Sequence, residues 1–171
     1  QWIFEGLEVL NESGVNQVTI YNLASRLGVS RSGFYWHFKN RLELLEAMLD
    51  SWEMEKTRVV TEAPEVRALE PVDRLIRITE MVHDLNSNGY YEIALGQWAL
   101  QDEAVARRVE SVVKARMNYA RRTFAELGFE GKALDMRTML FVGYTAWEEA
   151  AFSYIPRTKR RALIRERIEL L

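Results

Sequence analysis

Residues Thr19–Phe38 read TIYNLASRLGVSRSGFYWHF, and this stretch decides the fold. Thr19 offers a hydroxyl to cap a helix that turns Ile20, Leu23, Ala24 and Leu27 inward. Gly28-Val29-Ser30 interrupts that periodicity, with Gly28 permitting a tight turn and Val29 expected to fill the angle between two helices. Ser30 is expected to cap a second short helix running through Phe38. On it Phe34 and Phe38, four apart, point to the core, while Arg31, Ser32 and Tyr35 share the opposite side. Two short helices joined through a glycine turn, the second with a polar outer side, make a helix-turn-helix.

The pattern extends outward in both directions. Ile3, Leu7 and Leu10 form a first helical stripe stopped at Ser13-Gly14. A fourth helix starts near Asn40 and carries Leu42, Leu45, Met48, Leu49 and Trp52 inward. The three prolines, at 64, 71 and 156, lie between periodic segments. The stretch 62–71 is the best candidate hinge, and later helices are expected at about 71–87, 90–101, 103–127, 131–155 and 158–171. The chain of 171 residues is 48% hydrophobic and 28% charged, enough for a core and a solvated surface. The predicted architecture is all-α: a three-helix domain carrying the helix-turn-helix over residues 1–55, joined to a second helical domain over 56–171.

Net charge is −2, but its distribution is uneven. From Ser13 to Leu42 there is no acid, while Arg26, Arg31, Lys39 and Arg41 are basic; Glu5, Glu8, Glu12, Glu43, Glu46 and Asp50 flank the window. Contact with phosphate needs local positive potential of this kind. With no cysteine, disulfide and thiolate chemistry are excluded, and a cytoplasmic location is expected. No secretory signal or membrane span is expected, and the abrupt helical start at Gln1-Trp2 suggests preceding residues.

Through Gly14, Thr19-x-x-x-Leu23-Ala24, Leu27-Gly28-Val29-Ser30, Phe34-Tyr35-Trp36-His37-Phe38-Lys39-Asn40-Arg41 and Leu44-Leu45, the first 55 residues or so resemble the TetR family of transcriptional regulators. The resemblance implies phosphate contacts from Tyr35 and His37, with the Tyr35 ring able to lie on a thymine methyl. It implies base-edge readers at Arg31 and Ser32, and Arg31 is chemically suited to the paired acceptors of guanine. Lys39 and Arg41 would meet the DNA backbone, as would Thr19, with Tyr21 close by. Trp36 belongs to the same set and is expected to be at least half buried. Gly33 departs from the family, which often carries a side chain there.

The resemblance also implies a homodimer on a near-palindromic double-stranded operator, built by the last two helices. Gly143, Ala146, Ala150 and Ser153 form a small-residue stripe suited to close helix approach, beside larger Leu140, Tyr144, Trp147, Ala151 and Tyr154; Ile164 and Ile168 lie on the last helix. A small-molecule effector of unknown identity is implied among the middle helices, near Met81, His83, Leu85, Trp98, Met117, Tyr144, Trp147 and Glu148. The run Arg157, Lys159, Arg160, Arg161, Arg165 and Arg167 reads as a solvated face. The expected function is a repressor released by its effector, the alternatives being activation or no ligand response. Neither a catalytic role nor a metal or cofactor is expected: Glu80-x-x-His83 has di-iron spacing but lacks a second pair, and no Gly-x-Ser-x-Gly elbow occurs.

Overall fold

Pro64 and Pro71 each occupy the first turn of a helix, where a missing N–H costs nothing, and Pro156 stands at the N-cap of another. The computed structural model describes residues 1–54, 57, 62–86 and 91–171. Its helices are α1 (Trp2–Ser13), a 3₁₀ turn (Val15–Gln17), α2 (Ile20–Leu27), α3 (Arg31–Phe34), α4 (Arg41–Glu53), α5 (Pro64–Arg67) and α6 (Pro71–Leu85). There follow α7 (Glu92–Ala99), α8 (Glu103–Glu126), α9 (Gly131–Ala151), α10 (Arg157–Ala162) and α11 (Ile164–Glu169). Among the described residues all regular structure is helical, as the composition predicts. None of these helices is long and apolar enough to cross a membrane.

The chain packs as two compact units. One combines Gln1–Met54 with Gly89–Val109, the other Glu55–Asn88 with Glu110–Leu171. In the first, Leu7, Leu10, Leu23, Phe34, Leu44, Met48 and Trp52 are buried together with Leu95 and Trp98. At Gly6 a Cβ would lie 2.7 Å from Met48 Sδ, so glycine admits the α4 methionine against α1. Leu42, expected inward, is 64% exposed, and Leu44 takes the buried place. The helix begins one residue after Asn40, and that register turns Leu44, Leu45, Met48 and Leu49 to the core.

In the second unit Val66, Leu75, Ile76, Phe124, Leu134, Phe141, Ile164 and Ile168 form the core. Val66 is fully buried, so the stretch expected as a hinge is anchored by a turn of helix. The Phe124 ring meets Phe129 and Phe141 edge-on at 6.3 and 5.9 Å. The penultimate helix stops at Ala151, short of the expected 155, because Pro156 forces the preceding residues from helical geometry. The final helix is two: at Leu163 the amide bonds back three residues to Arg160 O, tightening the chain into a break.

The basic run is a solvated face only in part: Lys159, Arg161 and Arg165 are exposed, whereas Arg157, Arg160 and Arg167 are not. Arg160 is 3% exposed and forks onto Glu149, with Nη1 3.0 Å from Oε2 and Nη2 3.1 Å from Oε1. Its Nε donates to Ile155 O at 3.1 Å. Arg157 pairs with Glu149 at 3.0 Å and also donates to His83 O. Arg167 reaches Glu148 Oε1 at 3.0 Å and lies over the Tyr144 ring, 4.1 Å from its centroid. Arg161 pairs with Asp84. Only Lys159 shows no such tie among the described residues. Buried charges persist where paired and hydrogen-bonded, and these pairs fasten α10 and α11 to α6 and α9.

Burial pushes the Glu149 carboxyl up from its ordinary 4.5, but the Arg160 hydrogen bond and the charges of Arg160, Arg157 and His83 outweigh this and hold it lower. A carboxylate depressed on folding contributes stability that is present above its unfolded value and lost as pH falls through its folded one. Glu149→Gln should therefore destabilise the second unit by about 1–3 kcal/mol at neutral pH. The deficit should shrink as the medium is acidified below 4.5. Denaturant midpoints across that range check this, and a pH-independent deficit would count against the pairing.

Candidate nucleic-acid interface

Thr19 caps α2, its Oγ1 accepting from the Asn22 amide at 3.1 Å. Nine residues later Gly28 takes φ +67 and ψ 29, the left-handed conformation, and closes the helix. The Val29 amide donates to Ala24 O at 3.0 Å and the Gly28 amide to Ser25 O at 3.3 Å. These are the paired bonds of a Schellman stop. Ala24, 3% exposed, keeps the crossing close, but Val29 is 46% exposed and does not fill the inter-helix angle.

α3 is shorter than the sequence suggests. Its helical residues are Arg31–Phe34, followed by a turn at Tyr35–His37. Ser30 sits at the N-cap without capping through its side chain; its hydroxyl pairs instead with that of Ser32 at 2.8 Å. Phe34 holds the turn in place. It is wholly buried, edge-on to Trp2 at 5.3 Å and to Tyr35 at 5.4 Å, with the partly buried Phe38 ring also 5.4 Å away. Trp2 completes this aromatic clamp, a role the sequence pattern did not reveal because it precedes the stripe at Ile3.

With Phe34 inward, the remaining side chains of the turn face out. Arg31, Ser32, Tyr35, Trp36, His37 and Lys39 are all exposed, and so is Tyr21. Trp36, expected at least half buried, is 87% exposed, because α3 ends before it and the turn carries it away from the core. Gly33 is partly buried, and a Cβ there would meet only Ser30 Oγ at 3.9 Å, an ordinary contact. Thr19 is committed to its cap yet remains partly accessible.

The four basic residues of the acid-free window divide in two. Arg26 forks onto Glu12 at 2.5 and 3.0 Å and pairs with Glu5, tying α2 to α1. Its hydrogen bonds hold the Glu12 carboxyl below the ordinary range. Arg41 donates to Val18 O at 2.5 Å and Val15 O at 2.6 Å, satisfying carbonyls of the 3₁₀ turn. Arg31 and Lys39 have no ion pair among the described residues and stand free for an anionic partner. Asn40 caps α4 through Glu43 N at 3.0 Å, and Glu43 answers by accepting from Lys39 N at 2.6 Å.

The residues expected around an effector fall in both units. His83 and Glu148, 4% and 5% exposed, face each other with Nδ1 and Oε2 3.6 Å apart. Met81 and Leu85 pack on the second core, and Met117 is half-buried. Trp98 belongs to the first unit. Tyr144 lines a half-open cleft of about 230 Å³ with Leu140, Phe141, Thr145, Arg167, Leu170 and Leu171. Trp147 is 55% exposed. Glu80, three residues before the buried His83, pairs with Arg77 at 3.6 Å.

On the dimer stripe, Gly143 is exposed, Ala146 and Ala150 are half-buried, and Ser153 lies past the end of α9. Ile164 and Ile168 are buried in the second unit's own core, so they anchor α11 rather than face outward. The exposed face of α9 carries the larger groups instead: Met136, Leu140, Tyr144 and Trp147.

The family model described as "Bacterial regulatory proteins, tetR family" matches residues 5–48, the helices and turn just described. The class G tetracycline repressor of Vibrio anguillarum is 42% identical over 64 residues, covering 37% of this chain and 30% of that protein. In that match the chain spans under a third of the repressor's length. The HTH-type transcriptional regulator SrpR of Pseudomonas putida is 27% identical over 142 residues, 80% of this chain and 65% of that one. The crystal structure of apo AibR shares the fold, with TM-score 0.71 and 15% identity over 100% of this chain and 98% of that one.

Two glycine substitutions separate the backbone's needs. Gly28→Ala, at positive φ, should cost about 1–2 kcal/mol, whereas Gly33→Ala should stabilise by up to about 1 kcal/mol. Thermal melting of both variants checks this; equal shifts would contradict the assigned backbone roles.

Proposed function

We propose that this chain, whose residues 5–48 match the model of the tetR family of bacterial regulatory proteins, is a sequence-specific transcriptional regulator. It binds a near-palindromic double-stranded operator as a homodimer, and as a repressor it leaves that operator when a small molecule binds. The reading is carried by one observation: burial of Phe34 turns Arg31, Ser32, Tyr35, Trp36, His37 and Lys39 outward together. Arg31 suits the O6 and N7 acceptors of guanine, and Ser32 stands beside it. Tyr35, His37 and Lys39 supply phosphate contacts, which fix register rather than sequence. Thr19 and Tyr21 flank them. Arg41 contributes through the fold, since its guanidinium already serves two carbonyls.

Dimerisation is supported by the face of α9. Leu140, Trp147 and Met136 are half or more exposed around Gly143, and Leu163 and Leu170 are exposed on the last helices. Leu140 and Tyr144 border one cleft with Leu170, and an exposed apolar surface of this kind is costly to leave in water. A two-fold dimer would set two copies of α3 against half-sites about 34–36 Å apart. Residues 56–171 form the effector-binding and dimerisation domain in this reading. The effector acts by favouring a state whose α3 copies no longer match that spacing, which requires different affinities for the two states.

Selection of bound sequences from random DNA tests this, with an inverted repeat as the expected product. Arg31→Ala should then cost about 1–3 kcal/mol and relax preference at one base pair, whereas Lys39→Ala should weaken all sequences alike. No enriched sequence, or identical behaviour of both variants and the parent, would reject the assignment.

A further inference from the structure

α4 carries Glu46, Asp50 and Glu53 at spacings of four and three, so they form one acidic edge. Like charges so placed repel, and the only basic residue of α4, Arg41, is turned to Val18 and Val15. Relief comes from far along the chain. Arg108 of α8 donates through Nη2 to Asp50 Oδ1 at 2.5 Å and Glu53 Oε2 at 2.9 Å, with Nη1 3.5 Å from Glu46 Oε2. Seventeen residues earlier, by the numbering, Tyr91 donates its hydroxyl to Glu8 Oε1 of α1 at 2.7 Å and is 3% exposed. Between these two ties Ala94, Leu95, Trp98 and Val105 are buried. The segment from Tyr91 to Arg108 thus fastens α1 at one end and α4 at the other. Those two helices flank the α2–turn–α3 motif in sequence.

We propose that Tyr91 and Arg108 are positioning residues for DNA binding, holding α1 and α4 so that α3 is presented in one geometry. The inference rests on the DNA-binding reading above for its effect on affinity. A lone exposed ion pair does little, but one guanidinium shared by three carboxylates is a network whose members are coupled. The functional DNA-binding unit is accordingly discontinuous: residues near 91–108 belong to it although the recognition motif ends some fifty residues before.

The test uses the full chain and a DNA sequence selected with the parent. Arg108→Ala should weaken binding about fivefold, leave the preferred bases unchanged, and speed amide hydrogen exchange across α4. Tyr91→Phe should act in the same direction through α1. Arg107→Ala is the control, because among the described residues Arg107 pairs only with Glu103 on the same helix, and it should behave as the parent. Arg108→Glu combined with Asp50→Arg should recover affinity that Arg108→Glu alone loses, which a merely space-filling role would not allow. Parent-like affinity and exchange in Arg108→Ala, or a swap no better than Arg108→Glu, would overturn the proposal. If the parent selects no DNA, the DNA-binding reading fails, while α4 exchange still decides the clamp: faster exchange in Arg108→Ala upholds it and unchanged exchange overturns it.

Discussion

Phe34, wholly buried between Trp2 and Phe38, fixes the direction of a helix only one turn long. So short a helix has little stability of its own. It persists because a large ring is locked in a close-packed interior, where rotation would forfeit dispersion contacts on every side. The outward set from Arg31 to Lys39 is therefore a consequence of packing beneath it. Gly28 supplies the other half of the constraint. Its left-handed backbone ends α2 and aims the chain into α3 with two carbonyls satisfied.

Charge is used twice, with opposite purposes. Arginines that seem available in the sequence are largely consumed in holding helices together: Arg26 across α1 and α2, Arg41 on the 3₁₀ turn, and Arg157, Arg160 and Arg167 in the second unit. Arginine suits this work because its planar fork meets two oxygens at once. The cations left unpaired at the motif among the described residues, Arg31 and Lys39, are those positioned where an anionic partner would meet exposed aromatic rings. A slightly acidic chain can thus present a local positive surface without being basic as a whole.

The helical class, the cap at Thr19, the start of α4 near Asn40, the turn at Gly28 and the inward Phe34 were all legible in the sequence, since each follows from local rules of spacing and turn chemistry. Helix ends depending on longer-range bonds were not. The end of α3 at Phe34, the break at Leu163 and the stop at Ala151 reflect tertiary context and Pro156. The same limit explains Trp36 and Leu42, whose exposure changes with the register of a few residues. Charge partners were least legible. Arg160 with Glu149 and Arg108 with Asp50 join residues 11 and 58 apart, and no periodicity links them.

The central claim is that packing of Phe34 beneath the turn presents α3 to DNA. A structure of the chain on a selected operator tests it most directly. The account predicts α3 in the major groove, Arg31 on a base edge, Phe34 still buried, and two copies about 34–36 Å apart on the duplex. A complex in which another surface meets the DNA, with Arg31 and Tyr35 facing solvent, would contradict it.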